Sequence, residues 1–133
     1  MKVLIIHGPN MNLIGLKKIE PHGTLTLDKI NSMIRLTIKN KKKSVKIIQT
    51  NSEAKIVSYI QKQRNKIDHI IISPEAWNDN GYVLRDTLKI IKKPISFIIS
   101  NKNKSIFESM MNGSNMFFDP NYLDGYIQSI KSL

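Results

Sequence analysis

The chain reads as an α/β protein, a parallel β-sheet covered by helices on both faces. Two observations predict this. Short apolar runs alternate along the chain with longer segments whose apolar residues recur at helical spacing, the pattern of consecutive βαβ units. One run, over 67–73, carries Ile70, Ile71 and Ile72 in succession, as a central strand buried on both faces does. At 133 residues the chain is expected to form one domain, 1–133, long enough for a real core.

In order, Lys2–His7 reads as a buried first strand. It feeds into His7-Gly8-Pro9-Asn10-Met11-Asn12-Leu13-Ile14-Gly15, and the next periodic segment begins only at Leu27. Roughly 19 residues are far more than a βα connection needs, so a functional loop or lid is expected here. Its Gly-Pro-Asn corner turns at the carboxyl end of the first strand, where open α/β sheets place their ligands. From Leu27, the residues Ile30, Met33, Ile34 and Ile38 mark one helix face, with Thr26 as N-cap and Asp28 in the first turn. Ser44–Gln49 is a second strand, and Asn51-Ser52-Glu53 opens a helix through Ile56, Val57 and Ile60. Pro74 ends the third strand. Val83, Leu84, Leu88 and Ile91 give a third helix, and Pro94 precedes a fourth strand, Ile95–Ile99. A weaker helix is expected over 105–111 and a short fifth strand over 115–118. Leu123, Ile127 and Ile130 mark the closing helix.

Composition narrows the function. A formal charge of +11 would point to nucleic acid or an acidic partner. Nearly all of it is lysine, however, the arginines being Arg35, Arg64 and Arg85. The dense run, Lys39 with Lys41–Lys43, falls at a helix end, where cations complement the dipole. Solvated lysines are therefore favoured over a nucleic-acid surface. The chain has no cysteine, which excludes disulfides and thiolate metal sites and fits a reducing, cytoplasmic setting. No apolar run approaches the ~18 residues of a membrane span, so no membrane partner is expected.

Four blocks carry a resemblance. Gly8-Pro9-Asn10-Met11-Asn12-Leu13-Ile14-Gly15, with Glu20-Pro21 and Gly23 after it, resembles the type II 3-dehydroquinate dehydratases (type II dehydroquinases). So do Gln49-Thr50-Asn51-x-Glu53, Leu84-Arg85-Asp86 and Ile99-Ser100-Asn101, in the family's order and over nearly the whole chain. The resemblance implies a flavodoxin-like, five-stranded sheet of order 2-1-3-4-5, a site without metal or cofactor, and a homo-oligomer built from trimers, typically a dodecamer. It also implies a reaction: removal of water from 3-dehydroquinate, through an enolate, to give 3-dehydroshikimate in the shikimate pathway.

That chemistry needs a base for an activated C–H proton, donors for the enolate, and an acid for the departing hydroxyl. By the resemblance, the base is a tyrosine just before the lid glycine, lowered by an arginine earlier in the lid. Those positions hold His22 and Lys17. The acid is a histidine immediately before Ile-Ser-Asn, and that position holds Ile98, which has no proton to give. Further departures are Ser52 and Asp79 for two histidines, Ser73 for the asparagine that contacts substrate, and Glu75 for the glycine after its proline. His7 replaces an asparagine, and the segment after strand four has Lys102 and Lys104 but no arginine. Retained are Asn10, Asn12, which in the family holds a water near the enolate, and the Ile99–Ser100 backbone that cradles the substrate carboxylate. Arg85 and Asp86 match a pair near the family's subunit interface.

The same residues have plainer readings. Asn10 and Asn12 suit tight turns. His22, with an ordinary pKa near 6.5, either serves as a base beside Lys17 or is an exposed loop histidine. His7 and His69 read as structural or surface histidines, Trp77 as packing, and Arg85–Asp86 as an exposed ion pair or an assembly contact. Loss of the acid with exchange of the base should remove on the order of 10⁴-fold in rate. Glu75 and Asp79 bring like charge toward a carboxylate substrate. The expectation is a diverged family member with the reaction lost or strongly reduced, binding a small anionic substrate or a different ligand. Two alternatives stay open: an active 3-dehydroquinate dehydratase with His22 as base, and a non-catalytic oligomeric binder of a small molecule or of nucleic acid.

Overall fold

A computed structural model describes residues 1–17, 19–20 and 23–133, apart from the side chains of residues 17, 19 and 20. Five strands, β1 (Lys2–His7), β2 (Ser44–Gln49), β3 (His69–Ser73), β4 (Ile95–Ile99) and β5 (Met116–Phe118), form one parallel sheet in the order β2-β1-β3-β4-β5. The expected flavodoxin-like order, 2-1-3-4-5, is the one observed. The longer helices are α1 (Leu27–Asn40), α2 (Glu53–Gln63), α3 (Tyr82–Ile91) and α4 (Leu123–Lys131). Thr26 and Ser52 cap α1 and α2, each side-chain oxygen accepting a backbone N–H three residues on.

Alternation along the strands sorts the core into two layers. Val3, Ile5, Ile71 and Ile98 face α1 and α4, meeting Ile30, Ile34, Tyr126 and Ile130. Leu4, Ile6, Ile70, Ile72 and Phe97 face α2 and α3, meeting Ile56, Ile60, Leu84 and Leu88. Trp77 packs into this second layer, in keeping with its expected packing role. The register places His7 level with Gln49 on one side and with Ser73 on the other, so three strand ends finish in a row.

One segment differs from expectation, and another, expected as a functional loop or lid, carries local structure of its own. The long connection after β1 is not an open loop: it holds a 3₁₀ turn (Met11–Leu13), a helical turn (Ile14–Lys17) and a two-stranded hairpin (Ile19–Glu20 with Gly23–Thr24). Met11, Ile14 and Leu25 are buried in the α1/α4 layer and pin it down. The helix expected over 105–111 does not form, and only the 3₁₀ turn Glu108–Met110 appears. The Ile106 N–H is spent on Asn78 O at 2.9 Å and the Phe107 N–H on Ser105 Oγ at 3.0 Å, while Ser105 Oγ donates to Asn78 Oδ1 at 2.6 Å. Phe107 is thereby driven wholly into the α2/α3 layer, 5.7 Å from the Phe97 ring. The backbone bonds that follow, Glu108 N–H to Ser105 O, Met110 N–H to Phe107 O and Met111 N–H to Glu108 O, each span three residues, so the segment tightens into a 3₁₀ turn.

Candidate functional site

The carboxyl ends of β1, β2, β3 and β4 meet at one pole of the sheet. Gly8 passes close beneath β3: its N–H donates to Ser73 O at 2.9 Å, and a Cβ there would stand 2.5 Å from Pro74 O. No larger residue fits that approach. Asn10 follows in the left-handed conformation (φ 67), which Asn tolerates, and its N–H donates to Asn51 Oδ1 at 2.9 Å. Gln49 Nε2 donates to Gly8 O and to Asn51 Oδ1, both at 3.3 Å. Thr50 Oγ1 accepts the Ser52 N–H at 3.0 Å, and Glu53 Oε2 accepts the Leu84 N–H at 3.1 Å, tying α2 to the first turn of α3. The block from Gln49 to Glu53 thus fastens the Gly-Pro-Asn corner from the neighbouring strand. Asn12 is exposed in the 3₁₀ turn.

On the α1/α4 side of the same pole, His7 is wholly buried. Its Nε2 lies 2.8 Å from Asn31 Oδ1 and its Nδ1 2.7 Å from the Tyr126 hydroxyl, which also meets Ser73 Oγ. An amide oxygen only accepts, so with this Asn31 orientation Nε2 carries the proton and Nδ1 accepts from Tyr126. The Tyr126 oxygen in turn accepts from Ser73. The chain runs one way: Ser73 to Tyr126 to His7 to Asn31. Burial drives the His7 pKa down to about 4, although the Asn31 bond opposes this. Burial pushes the Tyr126 phenol up against the Ser73 bond, with the Glu75 charge adding to the rise. At neutral pH this histidine stays neutral and this tyrosine keeps its proton.

Ile98 belongs to the same layer. The register pairs Phe97 with Ile72, which sets Ile98 beside Ser73. It is 1% exposed, and its Cγ2 is so close to α4 that a Cβ on Gly125 would lie 3.2 Å away.

The third part is a strained pair. Tyr122 is the centre of a classical γ-turn (φ 66, ψ −41), with the Leu123 N–H donating to Asn121 O at 2.7 Å. Glu75 (φ 53) sits in the turn closed by the Trp77 N–H on Pro74 O at 3.1 Å. Backbones of this kind favour glycine and cost roughly 1–3 kcal/mol in other residues. Lys42 and Lys92 also have positive φ, but they lie just beyond or at helix C-termini, where it is ordinary. Ser100 and Glu75 are the polar groups that act on the buried Tyr122 hydroxyl. Burial pushes this phenol up as well, against the Ser100 bond and with the Glu75 charge.

Of the residues expected at the site, Asn10, Ser73 and Ser100 lie at this pole. His22 and the Lys17 side chain fall outside the described residues. Asp79 is exposed on the helical turn Trp77–Asn80. Arg85 and Asp86 bond each other on α3, Nη2 to Oδ1 at 3.2 Å, and the Arg85 guanidinium lies 5.0 Å over the Tyr82 ring. Ile99 points to the opposite layer, where it lines a cavity of about 590 Å³ with Asn78, Asn101, Lys102 and Phe118. Among the described residues no three His, Asp or Glu side chains gather as metal ligands. Sequence reasoning missed Asn31, Tyr122 and Tyr126. Their spacing along the chain carried no signal that would have brought them together.

Comparison with known proteins finds matches in both sequence and fold. A family model described as Dehydroquinase class II matches residues 1–116. The 3-dehydroquinate dehydratase of Roseiflexus castenholzii is 37% identical over 95 residues, 71% of this chain and 60% of that protein. That of Caldanaerobacter subterraneus is 37% identical over 94 residues, 71% of this chain and 64% of its own length. The matched stretch therefore spans less than two thirds of these curated relatives. The crystal structure of the type II dehydroquinase of Butyrivibrio crossotus superposes with a TM-score of 0.84 at 28% identity, covering 98% of this chain and 95% of that one.

Proposed function

We propose that this chain, which belongs to the class II dehydroquinase family, has an active site stripped of the family's proton donor, so that dehydration of 3-dehydroquinate is lost or strongly reduced. One observation carries the reading: Ile98, at the position of the acid, is a hydrocarbon sealed against α4. Its polar neighbours do not substitute. His7 is buried and neutral, and Tyr126 and Tyr122 hold their protons. Asp79 is exposed, not the buried carboxylic acid that the step would need. The corner at Gly8–Asn12, with Ser100 opposite, supports binding of a small hydroxylated ligand.

The test is an assay for dehydroshikimate formation. The unmodified chain should be at least ~10⁴-fold slower than an intact family member, from general-acid and general-base contributions of about 10²–10⁴ each. Ile98→His alone should restore little, because the imidazole enters a sealed layer and the base stays exchanged. With His22→Tyr and Lys17→Arg added, activity should rise, since lysine lacks the planar bidentate geometry of arginine. Family-level turnover by the unmodified chain, abolished by His22→Ala, overturns the reading and makes His22 the base.

The proposal includes a cytoplasmic homo-oligomer built from trimers, up to a dodecamer, with Arg85 and Asp86 at a contact. Tyr82, Val83 and Ile90 support it, being 51%, 58% and 77% exposed on α3. Sedimentation at micromolar concentration should show at least a trimer, and a stable monomer contradicts it. Among the described residues no helix is long and apolar enough to cross a membrane.

A further inference from the structure

We infer that Asn112 is a site of spontaneous modification, losing its side-chain amide to the backbone nitrogen of Gly113 and becoming aspartate or isoaspartate on the wall of the cavity beside β5. The sequence holds Asn-Gly twice, at Asn80-Gly81 and at Asn112-Gly113. A glycine after asparagine leaves the peptide nitrogen unshielded, and its backbone reaches the attacking conformation without steric cost. The fold treats the two pairs oppositely.

At the first pair, Gly81 is buried, its N–H donates to Trp77 O at 2.8 Å, and a Cβ there would stand 2.8 Å from Trp77 Cβ. That nitrogen is spent in closing the helical turn Trp77–Asn80. At the second pair, Asn112 and Gly113 are exposed, and nothing lies within 4 Å of a Cβ built on Gly113. Among the described residues the Gly113 N–H meets no acceptor. The Asn112 carbonyl is prepared as well. Its Oδ1 accepts the Ser114 N–H at 2.8 Å, the Ser114 hydroxyl at 2.6 Å and the Asn115 N–H at 3.2 Å. These bonds fold the side chain forward over the peptide that joins it to Gly113. They also aim three donors at the oxygen on which negative charge develops during attack.

In the reaction the Gly113 nitrogen gives its proton to water and bonds to Asn112 Cγ. The Cγ–Nδ2 bond breaks, and Nδ2 leaves as ammonia with a proton from water, closing a cyclic imide. Water then opens the imide at either carbonyl, so the net change is amide plus water to carboxylate plus ammonium. Asn112 lines the cavity of about 590 Å³ together with Lys102 and Phe118, so a neutral group on that lining becomes an anion.

Incubation of the full chain at mildly alkaline pH, followed by peptide mapping with electron-transfer fragmentation to separate aspartate from isoaspartate, tests this. Asn112 should convert at least about tenfold faster than Asn80, since a single oxyanion donor can change a rate by more than that. In denaturing urea the two sites should react at similar rates, because the fold alone distinguishes them. Ser114→Ala removes one donor from an exposed turn and should slow Asn112 several-fold. Gly113→Ala, whose methyl enters open space, should slow it too by shielding the nitrogen. Native conversion at Asn80 as fast as at Asn112 overturns the inference, and so does a preference for Asn112 that persists undiminished in urea. A Ser114→Ala chain that converts as fast as the unmodified one overturns it as well, since a merely flexible turn would behave that way.

Discussion

The two sides of the pole rest on neighbouring strand ends but are held together differently. On the β1/β2 side, side chains bond backbone: Asn51 to the Asn10 N–H, Gln49 to Gly8 O, Glu53 to the Leu84 N–H. On the β3/β4 side, side chains bond side chains: Ser73, Tyr126, His7 and Asn31 form one chain, and Ser100 and Glu75 act on Tyr122 beside it. The first side is built from the Gly8–Gly15 and Gln49–Glu53 stretches, and the second from residues far apart in the chain. Backbone-directed bonds shape a loop whatever chemistry is done beside it. Networks of side chains decide which protons can move.

The largest expected effect tests the seam between the sides. Gly8→Ala would push a Cβ to within 2.5 Å of Pro74 O and 2.6 Å of Ser73 O. We expect a loss of about 3 kcal/mol in urea unfolding, at the upper end for overpacking. A loss under about 1 kcal/mol would mean that the corner gives way easily and that the first side is not the rigid one.

Acid titration probes the second side. His7 has its folded pKa lowered to about 4 from 6.5, so below pH 6.5 the unfolded chain binds the proton first. Its stabilising share is complete above that pH and is lost as pH falls toward 4, by roughly 3 kcal/mol in total. His69, lowered by burial and by Lys43, contributes a fall of the same sign. Denaturation midpoints between pH 7 and 4 should fall steeply, and His7→Asn should flatten that limb. An equal slope in the variant would show that His7 is not proton-locked.

Tyr126→Phe removes the middle of the chain and leaves His7 Nδ1 without its donor in a sealed layer. A buried polar group left unpaired costs about 1–3 kcal/mol, and about 2 kcal/mol is expected. A neutral result would mean that the hydroxyl chain contributes nothing to holding the pole. The smallest effect belongs to Asn51→Ala, about 1 kcal/mol, because the bond it breaks is exposed to water. Amide exchange at Asn10 should accelerate in that variant while exchange at His7 stays unchanged, separating the two sides experimentally.

How much of the site was legible follows the same division. Gly8, Asn10, Gln49, Asn51 and Glu53 stand in two short blocks, and their bonds join those blocks to each other or to the next helix. Local spacing was enough to find them. The second network draws on residues 7, 31, 73, 75, 100, 122 and 126. Nothing in the pattern around Asn31 or Tyr126 distinguishes it from any other helical position. Glu75 was noticed only because a glycine was expected there, and its strain was invisible without the backbone angle.

By itself the sequence determined the alternating strands and helices, the 2-1-3-4-5 sheet and the family, because these depend on periodicity, turn chemistry and ordered motifs. Tertiary structure decided which distant residues meet. The segment over 105–111 formed only a 3₁₀ turn, its start tied to Asn78 and its Phe107 packed against Phe97. Hydroxyls and an imidazole collected around Ile98 yet stayed proton-locked, because the layer under α4 excludes water and raises the cost of charge. The pKa of a side chain and the direction of its proton belong to its surroundings, which only the folded chain assembles.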